Sequence, residues 1–239
     1  MSHSHIRKEA RYGIPAADHI LYNRHHIIGY SYYFRQAKWA LEIVDNTNSE
    51  VKRKNVFRPD YRIPENFRAD LVDFVGSGFD RGHLVASANQ IGLQIQNSET
   101  FLLSNMAPQH PDLNQRIWRQ LEEDIRTLSK RKTILETYVI CGPIFYFDQP
   151  VQEIGGTEDQ TSVPVPNAFF KSVLIESHTG RLQMWTFRFP NEKCDLAISE
   201  YQVPTTKIEK YTGIKLWESL IGRKIDTEKK RIRKYWIKD

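Results

Sequence analysis

The tetrapeptide Asp80-Arg81-Gly82-His83 sets an imidazole close to a guanidinium and a carboxylate. Near neutral pH an unpaired imidazole accepts a proton from water. Arg81 can grip a phosphate through two parallel N–H donors. Gly82 has no Cβ and permits close approach of backbone or ligand. A second set follows at Asn114, Trp118, Glu122 and Arg126, spaced by four residues, which on a helix form one slowly drifting ridge. The amide oxygen of Asn114 suits Mg²⁺, a hard cation that prefers oxygen and retains several waters. Glu122 can accept hydrogen bonds from those waters or pair with Arg126, and Trp118 suits packing. Each set has a plainer reading as well, a surface turn for the first and a solvated, salt-bridged face for the second. Residue types alone leave both open.

These side chains need elements to hold them. Leu113, Ile117, Leu121, Ile125 and Leu128 recur at steps of 4, 4, 4 and 3, which predicts one buried helix face, with Asp112 as its cap. Gly76-Ser77-Gly78 predicts a turn just before the tetrapeptide. Residues 31–44 read as one or two strands, and 137–140, 171–176 and 182–189 as further strands. The polar stretch 45–70, with Pro59 and Pro64, reads as a long surface loop of the kind that is usually functional. Residues 204–213 and 215–221 suggest short helices. Strands on both sides of a central helix, without regular alternation, predict an α+β fold.

The chain of 239 residues, 40% hydrophobic and 26% charged, has the composition of a globular protein and excludes disordered and fibrous classes. No apolar run approaches the roughly 18–20 residues of a membrane span, so no membrane partner is expected. The first residues carry no secretory signal and no full transit peptide, which reads as a cytoplasmic chain. Cys141 and Cys194 read as two unpaired thiols. His3, His5, His25, His26, His110 and His178 show no metal spacing, and His25-His26 reads as part of a polar turn. The net charge of +5 is concentrated after Gly222, where eight Lys/Arg face three Asp/Glu. Such a tail attracts polyanions or forms a solvated helix end, while Tyr235, Trp236 and Ile237 suggest that part of it packs.

Three ordered segments now matter together: Gly78-Phe79-Asp80-Arg81-Gly82-His83-Leu84, then Thr100 through Gln109 (TFLLSNMAPQ), then Leu113-Asn114-Gln115-Arg116-Ile117-Trp118 with Leu121-Glu122. They resemble the DNA/RNA non-specific endonucleases of the ββα-metal, or His-Me finger, class, including the endonuclease G and Serratia-type branches. Arg11-Tyr12-Gly13-Ile14-Pro15, Phe57-Arg58-Pro59-Asp60 and Val165-Pro166-Asn167-Ala168-Phe169-Phe170-Lys171 extend the resemblance. It implies an N-terminal extension over 1–10, a single endonuclease domain over 11–221 and a basic C-terminal tail over 222–239. Within the domain it implies a mainly antiparallel sheet flanked by helices and a ββα-metal site.

By resemblance, His83 matches the general base and Asn114 the direct protein ligand of Mg²⁺, for which Mn²⁺ can substitute. Glu122 matches the carboxylate that holds metal-bound waters, and Arg81 a cleft arginine beside the phosphate. Arg126 and Arg53 match substrate-binding arginines, with Lys52 and Lys54 flanking the latter. Asp80 and Asn105 match motif positions read as structural supports of the site. The implied activity is Mg²⁺-dependent cleavage of DNA and RNA without sequence preference, leaving 5′-phosphates. Homodimerisation and an inhibitor protein are partnerships the resemblance allows. The alternative from another class is a catalytically degenerate nucleic-acid-binding protein of the same fold.

Overall fold

The computed structural model describes residues 7–44, 51–156 and 162–237. His3, His5, the 45–50 part of the expected loop and the last two tail residues lie outside them. In chain order the regular elements are β1 (His19–Tyr22), β2 (His26–Ser31), β3 (Gln36–Ile43), β4 (Asp80–His83), α1 (Gln94–Glu99), β5 (Met106–Gln109) and α2 (Arg119–Ser129). They continue with β6 (Ile134–Ile144), β7 (Glu153–Ile154), β8 (Val163–Pro164), β9 (Ala168–Ser177), β10 (Leu182–Pro190), α3 (Thr205–Thr212) and α4 (Arg223–Lys230).

Six strands form one antiparallel sheet in the order β1-β2-β3-β6-β9-β10. Its inner strands are rich in β-branched and aromatic residues that fit a pleated surface. Both faces are covered, so β9 is buried along nearly its whole length instead of alternating. One face packs Phe169, Val173 and Ile175 against Leu113, Trp118, Leu121 and Ile125 of the central helix. The other packs Phe170 and Leu174 against Tyr12, Ile208 and Trp217. The α+β fold with a large antiparallel sheet is therefore the one expected.

Four local expectations change. The central helix starts at Pro111, and its segment Leu113–Trp118 is a π-helix that runs on into α2. Asp112 is helical and does not cap; the His110 imidazole accepts from the Asp112 N–H instead, at 3.2 Å. Residues 215–221 turn without forming a helix, with Trp217 at φ 54° and fully buried. The 51–70 segment is not all surface: Asp60 is buried and bonded by Arg62 and Ser104, and Ile63 joins the core. His26 lies in β2, wholly buried against Asn23, not in a polar turn.

The C-terminal segment crosses the outer edge of β10. Met184 N–H donates to Glu228, Trp185 Nε1 to the Lys234 carbonyl, and Trp236 Nε1 to the Asp124 carbonyl. Trp236 is buried against Trp185 and Phe187, as its apolar neighbours in the sequence suggested. Both cysteines are free, and burial pushes the Cys141 thiol up to about 12, leaving it inert.

Candidate active site

β4 and β5 pair as a separate antiparallel ribbon, with Asp80 opposite Gln109 and His83 opposite Met106. The ribbon runs directly into the helix at 111, so two short strands and one helix frame a cavity of about 500 Å³. Strand periodicity puts Arg81 and His83 on the same face of β4. Gly82 between them is required by packing: an added Cβ would lie 2.3 Å from Oε1 of buried Gln109 on the opposite strand. Its missing side chain thus serves the ribbon rather than the approach of a ligand.

The cavity brings together Arg53, Arg81, His83, Asp80, Asn114, Glu122 and Arg126. Of the residues singled out in the sequence, Trp118 lies outside the lining, and so does Asn105. Its side chain accepts from Val85 N–H and donates to the carbonyls of Val85 and Thr100, each at 2.9 Å, which fixes the chain just after His83. Asp80 accepts from both Asn114 Nδ2 and Gln115 Nε2 at 2.8 Å, tying the ribbon to the start of the helix. Trp118 is buried, and its Nε1 donates to the His83 carbonyl at 3.2 Å.

The His83 ring sits edge-on to Phe57 and Phe101, with centroids at 5.7 and 4.9 Å. Nε2 is shut off from solvent without a partner, so Nδ1 is the nitrogen available to the cavity. Burial, and secondarily the positive field of Arg53, push this histidine down to about 3. It is therefore neutral at pH 7 and able to accept a proton. Arg81 stacks over Phe57 at 4.6 Å and Arg53 over Phe101 at 5.3 Å. The aromatic rings that enclose the imidazole thus also carry two guanidinium planes.

The plainer reading of the helix ridge does not hold, because Glu122 does not pair with Arg126. Glu122 Oε1 meets Lys171 Nζ at 3.1 Å, and Arg126 donates to Asn89 at 3.0 Å. Sequence reasoning missed Lys171, Asn89 and the Phe57–Phe101 enclosure. For Lys171 the signal was there, a charge in the middle of the mostly apolar β9.

Among the described residues no group of three or more His, Cys, Asp and Glu is arranged to hold a metal. The cavity instead offers amide and carboxylate oxygens, at Asn114 and Gln115 and at Asp80, Glu122 and Glu123. With Nδ2 committed to Asp80, Asn114 keeps Oδ1 as a free acceptor. A set of hard oxygen donors fits Mg²⁺ with its waters better than zinc.

A basic cleft with a neutral imidazole facing a hard-donor helix is what a hydrolytic nuclease needs. The family described as DNA/RNA non-specific endonuclease matches residues 6–220, and the chain belongs to it. It is an endonuclease that hydrolyses phosphodiester bonds. It is 33% identical to the mitochondrial Endonuclease G of Homo sapiens over 226 residues, which cover 90% of this chain and 74% of that protein. A nuclease of Syncephalastrum racemosum is 32% identical over 86% of this chain and 69% of its own. In structure, the chain resembles that solved in a crystal structure of an EndoG/EndoGI complex. The TM-score is 0.82 at 31% identity, covering 89% of this chain and 91% of that one. Among the described residues no helix is long and apolar enough to cross a membrane. Several relatives are mitochondrial by name, so the cytoplasmic expectation finds no support in them.

Proposed function

We propose that the protein is a Mg²⁺-dependent endonuclease that cuts DNA and RNA without sequence preference and leaves 5′-phosphates. The observation that carries this reading is that His83 and Asn114, from different elements, line one cavity with four arginines. His83 takes a proton at Nδ1 from a water, which attacks phosphorus in line with the departing 3′ oxygen. A phosphodiester in the cleft would offset the field of Arg53, the lesser of the two causes that depress the imidazole, and raise its proton affinity to that extent. Arg81 and Arg126 hold the non-bridging oxygens, and Arg53 contacts a neighbouring phosphate. Asn114 would hold the ion directly, and Glu122 would accept hydrogen bonds from its waters. Bound there, Mg²⁺ would neutralise charge on the phosphate and leaving oxygen. Asp80 ties the ribbon to the helix, and Asn105 fixes the chain just after His83. Contacts to phosphate rather than base edges give low sequence preference. The domain limits 11–221, with an N-terminal extension and a basic C-terminal tail, belong to this reading. So do self-association and restraint by an inhibitor protein, the latter supported by the EndoG/EndoGI complex.

The test is a panel of supercoiled plasmid, single-stranded DNA, RNA and a chromogenic diester, run with metal-stripped protein and again with added Mg²⁺ or Mn²⁺. Cleavage of all the polymers should appear only with metal, with ends that ligate without added kinase. Full activity after verified metal removal would sink the reading. So would an inert wild-type protein that still bound nucleic acid.

A further inference from the structure

Lys171 breaks the pattern of the strand that carries it. Phe169, Val173 and Ile175 of β9 belong to the core beneath the central helix, while Phe170 and Leu174 belong to the opposite core. Lys171 falls on the first face, where alternation calls for an apolar side chain, and it is 1% exposed. An ammonium buried in a sheet is far more costly than a leucine there, unless it is paired.

Its partners are few and well placed. The Nζ lies 3.1 Å from Glu122 Oε1 and 4.0 Å from the centroid of the Trp118 ring. The ring is buried, and its indole N–H donates to the His83 carbonyl. Glu42 of β3, on the same face of the sheet, is another buried carboxylate that feels this ammonium. It is tied up by Asn89 at 2.9 Å and Gln90 at 2.8 Å. Glu122 itself is 12% exposed and lines the cavity. One of its oxygens is thus committed to the core, and the other is left for the cleft. β9 is bonded on both sides, to β6 and β10, so the anchor is rigid.

We propose that Lys171 is a positioning residue of the active site: from within the core it fixes the Glu122 carboxylate so that one oxygen faces the cleft and the waters of its metal. This rests on the role given to Glu122 above. It assigns a function to a lysine that never reaches the cavity.

The experiment compares Lys171→Met with wild type and Glu122→Gln. Free Mn²⁺ is titrated by electron paramagnetic resonance, kcat and KM are measured on plasmid DNA, and folding is checked by near-UV circular dichroism. The expected result for Lys171→Met is a native spectrum with the Mn²⁺ Kd raised and kcat lowered, each by about 10–100-fold. KM for DNA should stay close to wild type. A wild-type Mn²⁺ Kd and kcat in folded Lys171→Met overturns the proposal. If that variant does not fold, Lys171→Arg decides. It keeps a cation but displaces the carboxylate, so Kd and kcat should move in the same directions, and wild-type values in both overturn the proposal. The two readings fail separately. Wild-type behaviour of Glu122→Gln removes the Glu122 role itself. Loss in Glu122→Gln without loss in Lys171→Met removes only the inference.

Discussion

Replacing Trp236 by alanine removes an indole that is 7% exposed and stacks edge-on against Trp185 at 5.3 Å and Phe187 at 5.8 Å. It also deletes the hydrogen bond from Nε1 to the Asp124 carbonyl at 2.9 Å. A buried tryptophan cut back to alanine costs about 3–5 kcal/mol, of which the hydrogen bond accounts for about 1 kcal/mol. With a urea slope of about 2–3 kcal/mol per molar, the midpoint should fall by roughly 1–2.5 M. The assay is equilibrium urea unfolding followed by far-UV circular dichroism, since loss of the indole changes the fluorescence itself. Deleting everything after Gly222 is the simplest test of whether the basic tail binds DNA. That deletion would also uncover β10, so its effect on binding would be mixed with its effect on folding. A cleaner perturbation neutralises the exposed Arg223, Lys224, Lys230, Arg231 and Lys234 in a chain that keeps Trp236. A DNA contact there would flatten the slope of log affinity against log salt. An unchanged urea midpoint in Trp236→Ala would refute the docking of the tail.

Three further outcomes are expected. His83→Ala should lower turnover by about 10²–10⁴-fold while filter binding of DNA persists, and turnover near wild type would remove His83 from the mechanism. Glu42→Gln should gain stability relative to wild type as pH rises. Burial lifts the Glu42 carboxyl to about 7, so the wild type holds its proton when folded and releases it when unfolded. The stability this gives is complete below the unfolded value and is lost as pH rises through about 7, with a slope up to about 1.4 kcal/mol per pH unit. Urea midpoints at pH 5 and pH 8 check it, and a pH-independent difference between the two proteins would refute it. Gly82→Ala should destabilise by about 1–3 kcal/mol, because the new methyl must displace Gln109 from beneath the ribbon. Thermal unfolding at the wild-type temperature would show that the ribbon yields freely.

The grouping of the candidate site residues was readable where chemistry and local order coincide. Asp80 to His83 is a strand of a ribbon, and Asn114, Glu122 and Arg126 reach one cavity. Four sheet segments were also readable, because β-branched and aromatic runs had little else to become. What stayed hidden depends on distant partners. Nothing local says that Glu122 meets Lys171 from 49 residues away, or that Asn89 and not Glu122 takes Arg126. The tail was read through its charge because Lys and Arg dominate locally, yet Trp236 finds its partners on β10 and α2. Residues 215–221 have helical composition, but the buried Trp217 indole donates to Ser172, and the backbone turns to allow it.

The π-helical turn at Leu113–Trp118 sets the angle between the two halves of the site. Steps of four apolar residues overshoot an α-helical turn by about 40° each, and the wider turn absorbs that overshoot while keeping Leu113 and Ile117 in the core. It is in effect one residue more than a regular helix would use, and π-bulges of this kind gather at functional sites. Removing a single residue between Asn114 and Glu122 would relax the segment to ordinary winding and swing Asn114 by about 100° about the axis. Its link to Asp80 would break while the helix itself survived. The start of this helix is therefore constrained in length as well as in side chains, and a graft of the site onto another scaffold would have to carry the whole turn, irregularity included.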